Sequence, residues 1–167
     1  MAARLAKTPL AIADAHASGA PIMFANEAFA TLVGLDAAAL VGRPLGSLAA
    51  GVPIDIGRGV TTRFELALQG GGSLAAALST AAVPGADGRP FCLLCSLVDA
   101  RGDGADGAIA RDAELLAQVA HAAGDLMRES AVAARLAESS DRGVTAADIA
   151  LAAVDRATPA AGTERST

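Results

Sequence analysis

Tryptophan and tyrosine are absent from this 167-residue chain, and Phe24, Phe29, Phe64 and Phe91 are its only phenylalanines. A core with so few rings has to be assembled mainly from Leu, Val, Ile and Ala, and hydrophobic residues make up 53% of the chain. The same shortage removes the platforms on which unpaired bases stack. Positive charge is short as well. The formal net charge is -5, spread over both halves, which argues against partners with phosphate backbones or anionic membrane surfaces. No apolar run reaches the roughly 18 residues of a membrane span, and the N-terminus carries no apolar stretch of the signal-peptide kind. The expectation is a soluble, cytoplasmic protein with one domain and an appendage.

Cysteine is scarce too. Cys92 and Cys95 lie in the run Phe91-Cys-Leu-Leu-Cys-Ser-Leu-Val98, which reads as a buried strand. Their C-x-x-C spacing would need a helix N-terminus for redox work or a second ligand pair for zinc, and neither is there. Two small core residues are the reading, and no metal site is expected.

What is present is a sequence of changing periods. Leu10–Ala13 and Pro21–Ala25 are short apolar runs around a polar turn, a first hairpin. Asn26 is placed to cap a helix over Glu27–Val33 that Gly34 ends. Asp36 opens a shorter one, Ala37–Val41, which stops at Gly42-Arg43-Pro44. From Val60 to Gln69 the period is two, with Val60, Thr62, Phe64, Leu66 and Leu68 on one face. Gly70-Gly71-Gly72 turns the chain into Ser73–Val83, where Ala75, Ala77 and Ala81 share a face, and Pro84–Gly88 turns it into Pro90–Asp99. The third of these strands is apolar on both faces, so the sheet needs cover on both sides.

The cover for one side comes after a Gly/Asp-rich linker, 101–111. Residues 112–139 read as one amphipathic helix whose stripe includes Leu116, Val119, Ala123, Leu126 and Met127, with Gly124 as its weakest point. An Ala-rich stripe of this kind must dock on the sheet or pair with a second copy, and the spacing allows either. A short helix over 144–157 and a disordered tail over 158–167 complete the reading.

The stretch Pro21-Ile-Met-Phe-Ala-Asn-Glu-Ala-Phe-Ala-Thr-Leu-Val-Gly34, then Leu35-Asp-Ala-Ala-Ala-Leu-Val-Gly-Arg43, resembles the core signature of PAS domains, as do the Asp87-Gly-Arg89 turn and the strand ending at Asp99. The resemblance covers residues 8–100. It implies an α+β fold: a PAS-like five-stranded antiparallel sheet with short helices on one face and the long C-terminal amphipathic helix beyond. Within the family the sequence is most similar to the LOV subgroup of flavin photoreceptors, with a departure. Where that subgroup follows Gly-Arg with Asn-Cys-Arg-Phe-Leu-Gln, this chain has Pro44-Leu-Gly-Ser-Leu-Ala49, so Leu45 stands at the position of the adduct-forming cysteine. Leu68, Ala77 and Leu97 stand where the subgroup's flavin-binding amides would be, and the loop Ala49–Gly59 is short for its usual helix over the cofactor. The resemblance thus implies a sensor for which flavin is the one cofactor to consider, against these departures, and no other cofactor is expected. Neither His16 nor His121 is placed as a haem ligand.

A ligand chamber, if formed, would be walled by Ile22, Phe24, Phe29, Leu32, Leu40, Leu45, Leu48, Phe64, Leu66 and Leu78, all of which serve equally as core. Asn26, Gly34, Gly42 and Arg43 read as a helix cap, two helix stops and a surface cation. No catalytic set is present. The leading expectation is a non-catalytic sensory or protein-interaction module, a homodimer that contacts a kinase or regulator through its C-terminal helix. Two alternatives remain: a flavin-binding LOV-like photoreceptor without cysteine chemistry, and a phosphotransfer protein using His121, although His121-Ala-Ala-Gly-Asp-Leu lacks the flanking residues of a kinase phosphoacceptor box.

Overall fold

A computed structural model describes residues 7–49, 59–129, 151 and 154–156 of the chain. Two strands, β1 (Leu10–Asp14) and β2 (Ile22–Ala25), form the first hairpin; α1 (Glu27–Val33), α2 (Ala37–Leu40) and a 3-10 turn (Leu45–Ala49) follow. The meander β3 (Thr61–Ala67), β4 (Ser73–Pro84) and β5 (Pro90–Asp99) leads into the long helix α3 (Ala105–Glu129). All five strands join one sheet in the order β2-β1-β5-β4-β3, with every pairing antiparallel. This is the sheet implied by the resemblance, and β5 lies at its centre, which is why both of its faces are apolar.

The two faces carry different covers. On the inner face Ala11, Ala13, Phe64, Leu66, Leu74, Leu78, Leu93, Cys95 and Leu97 pack against α1, α2 and the 3-10 turn through Phe29, Val33, Leu40, Leu45 and Leu48. On the outer face Leu10, Ile12, Ala81, Val83, Cys92 and Leu94 pack against Leu116, Val119, Ala120, Ala123 and Met127 of α3. The helix therefore docks on its own sheet, the first of the two arrangements its stripe allows. Near its start Ala105 and Ile109 meet Ala77 and Val98.

Three expectations are corrected. The helix begins at Ala105, not at 112, so most of the expected linker is helical. Gly107 does weaken the helix by about 1 kcal/mol; burial of Ile109 on the sheet, worth about 2 kcal/mol, with a smaller share from Ala105, outweighs it, and Asp106 suits the first turn. Phe24 is not on the inner face. The register shifts between Ile12 and Ala13, so that Ile22 pairs with Ala13 inward while Phe24 pairs with Ile12 outward. A bulge breaks strict alternation, and reading Ile22 and Phe24 as one face assumed none. Ala77 likewise lies outward, against Ala105 and Ile109. Of the expected 144–157 helix the described residues include Leu151 and Val154–Arg156, which are helical, with Val154 fully buried among the outer-face residues. Residues 130–139 and 158–167 lie outside the described ones.

Candidate functional site

The inner chamber is the first candidate. Ile22, Phe29, Leu40, Leu45, Leu66 and Leu78 are all within 1% of complete burial, and Leu48 and Phe64 are nearly so. Leu32 packs on this cluster from a half-buried position. With almost no accessible surface, most of these side chains are covered by protein on every side, as in ordinary close-packed core.

The chemistry of the wall agrees with its packing. Along the inner rows β4 presents Leu74, Ala76, Leu78 and Thr80, β5 presents Leu93, Cys95 and Leu97, and β1 presents Ala11 and Ala13. Thr80 Oγ1 donates to the Val60 carbonyl, and the Cys95 thiol is 4.0 Å from the Leu93 carbonyl. A flavin ring carries a polar edge that demands donors and acceptors, and leaving such groups unmatched in an apolar site costs about 1–3 kcal/mol each. Leu45, Leu68 and Leu97 supply none. The described residues do not fit a flavin.

The motif residues have structural employment. Asn26 Oδ1 accepts from Phe29 N at 2.9 Å, capping α1, and from Leu10 N at 3.0 Å; its Nδ2 donates to the Thr8 carbonyl at 2.7 Å. One side chain thus caps a helix and ties down the start of β1. Gly34 ends α1 at φ 77, its N–H shared by the Ala30 and Thr31 carbonyls. Gly42 at φ 83 donates to the Ile22 carbonyl, and Ile22 N donates to the Arg43 carbonyl. The Gly-Arg pair is therefore a backbone brace on the outer edge of β2, with the Arg43 side chain exposed.

The two thiols point to opposite faces of β5. Cys92 joins the outer cluster and Cys95 the inner one. Burial, with the Asp14 carboxylate as a lesser cause, pushes the Cys92 thiol up to about 12; burial pushes Cys95 further. Neither is a nucleophile near neutral pH. Among the described residues no three His, Cys, Asp or Glu side chains converge as metal ligands. His121 is exposed on α3, with Nε2 3.6 Å from Asp125 Oδ2, at the rim of a surface groove of ≈ 420 Å³ lined also by Ala81, Ala82, Pro84 and Pro90.

The outer face is the second candidate. Of the five stripe residues, Leu116, Val119, Ala123 and Met127 are buried against the sheet, and Leu126 is half-buried outside that cluster. Several contacts were missed by the periodicity. Ser96 Oγ donates to Asp112 Oδ2 at 3.3 Å under the helix, and Arg63 of β3 pairs with Asp106 at the exposed rim. Gly124, expected to be the weak point, lies so close to Pro84 of β4 that a β-carbon has no room there. The alternation that puts Ser79 and Ser96 on the face of Ala81 and Leu94 was the available signal for the first of these. Nothing local announces the last.

No family model matches the chain, and no curated protein matches it at a significant level. Solved structures do. The LOV protein of Rhodobacter sphaeroides superposes with a TM-score of 0.54 at 21% identity, over 89% of this chain and 85% of that one. An RNA-binding light-oxygen-voltage receptor gives 0.52 at 25% identity, over 68% of this chain and 35% of that one. A blue-light-activated histidine kinase of Erythrobacter litoralis gives 0.56 at 17% identity, over 76% of this chain and 44% of that one. The chain spans less than half the length of the last two. Its fold is the PAS fold in the form that LOV domains take.

Proposed function

We propose that this chain is a PAS-type signalling sensor module without flavin photochemistry, whose output element is α3. The observation that carries the reading is the position of α3: an Ala-rich helix that emerges from the last strand and lies on the outer face of the sheet. Alanine contacts bury little area each, so docking is held by many small terms, and a few kcal/mol of differential affinity from a partner suffices to shift it. The module acts by contact with another protein, a kinase or regulator in bacterial-type signalling, and works as a homodimer. Catalysis has no part in it. That one fold relative is a histidine kinase of which this chain spans 44% supports the placement in signalling.

Native mass spectrometry and an absorption spectrum of the freshly purified protein test the reading together. A colourless dimer without small-molecule adduct is the expected outcome. A flavin band would move the assignment to the photoreceptor reading, which rests on the fold relatives and runs against Leu45, Leu68 and Leu97. Hydrogen exchange over 105–129 is expected to show slow amides that accelerate when a partner binds; amides unprotected from the start would remove α3 as the output element.

A further inference from the structure

We propose that α3 has a single permitted register on the sheet, set by Asp112 over a row of buried hydroxyls and by Gly124 at Pro84, so that the helix leaves and returns as a unit and does not slide.

Thr61, Ser79 and Ser96 are direct neighbours across β3, β4 and β5. Thr61 Oγ1 and Ser79 Oγ are 2.9 Å apart, and Ser96 donates to Asp112. Ser79 and Ser96 are 2% and 1% exposed, so the row lies beneath the helix. Apolar ground flanks it on both sides: Ala77 and Val98 under Ala105 and Ile109, then Ala81 and Leu94 in the cluster of Leu116 and Val119. Along its length, the contact reads apolar, polar, apolar.

Alanine is a poor register mark, because one alanine fits where another did. The polar row is a sharp mark. Moving α3 by one turn, about 5.4 Å, would carry the Asp112 carboxylate onto Ala77 and Val98 or onto Ala81 and Leu94, and would strip Ser96 of its acceptor. Both changes desolvate polar groups without replacement. A single buried polar contact choosing among otherwise equivalent packings is the best-attested use of such groups. The second mark is independent. A β-carbon at Gly124 would stand 2.4 Å from Pro84 Cγ, and a slide of one turn brings Ala120 or Arg128 to that spot, each with the β-carbon it refuses.

The test uses the full chain with nitroxide labels at Gln118→Cys on α3 and Glu65→Cys on β3, both exposed positions; the buried native thiols stay unlabelled. The parent is expected to give one narrow interlabel distance. In a Pro84→Ala background, which lifts the Gly124 mark and is used for each variant in this series, Asp112→Ala is expected to add a second population displaced by about one helical turn, roughly 5 Å, while Asp112→Asn, which still accepts from Ser96, keeps the single distance. Ser96→Ala removes the partner from the sheet side and is expected to reproduce the second population. An unchanged single distance in the two alanine variants would overturn the proposal. So would a uniformly broad distribution, since Asp112 would then hold the helix down and not choose its place.

Discussion

Gly124 of α3 lies flush against Pro84 at the end of β4: a β-carbon added to it would stand 2.4 Å from Pro84 Cγ and 2.7 Å from Cδ, with the Pro84 carbonyl 3.4 Å away. The glycine is there for want of space, and its φ is that of ordinary helix.

Gly124→Ala is accordingly expected to destabilise the protein by about 1–3 kcal/mol, the cost of overpacking, although alanine is the better helix former by about 1 kcal/mol. Denaturant midpoints give the sign. In a Pro84→Ala background, where the ring is gone, the same change is expected to become neutral or stabilising, and a double-mutant cycle isolates the contact.

Asn26→Ala removes a helix cap and both ties to the start of β1. The cap alone accounts for about 1 kcal/mol, and the freed Leu10 N–H and Thr8 carbonyl raise the expected loss to about 2–3 kcal/mol. Asn26→Asp, which keeps the acceptor and drops only the donation to Thr8, is expected to lose about half as much by the same equilibrium measurement.

The thiols give a pH dependence of fixed sign. Cys92 and Cys95 have folded-state values raised by burial, Cys92 to about 12, so the unfolded chain releases their protons first. Their contribution is complete below the free-thiol range and is lost as pH rises through it toward the folded values, at about 1.4 kcal/mol per pH unit per thiol. Unfolding midpoints between pH 8 and 10.5 are expected to fall more steeply than in a Cys92→Ala/Cys95→Ala variant. Equal slopes would mean that the thiols are not held away from water.

Leu97→Gln places an amide at the inner-face position where LOV flavin sites carry one by the sequence resemblance. Beside Leu78 in the inner apolar cluster, its polar atoms find no partner, and a loss of about 2–4 kcal/mol is expected. Supplying flavin mononucleotide is expected to return none of it. Recovery of stability with added flavin would reveal a chamber able to reopen.

The architecture was legible in the sequence where one interaction dominated. Val60 to Gln69 alternated because β3 is an edge strand with one face in water, and Phe64 and Leu66 did turn inward. Asn26 and Gly34 were readable because cap geometry is local. Phe24 was misplaced because a one-residue bulge is invisible to a rule of alternation. The start of α3 was missed because glycine content speaks for the isolated chain, whereas Ala105 and Ile109 answer to the sheet. For the candidate site, the sequence carried the stripe of α3 but not its keying: the contact between Asp112 and Ser96 joins two elements and has no local signature.

The central place of β5 also bears on biosynthesis. Strand β1 pairs with it at Leu10–Asp14, yet β5 ends at Asp99. A ribosome adding about 5–20 residues per second leaves the first hairpin waiting roughly 4–17 s for its partner, with Leu10, Ile12 and Ala11 uncovered. The nascent chain is therefore open to chaperones and to mispairing throughout that interval, and slowed elongation before codon 99 should raise aggregation more than the same delay placed after it.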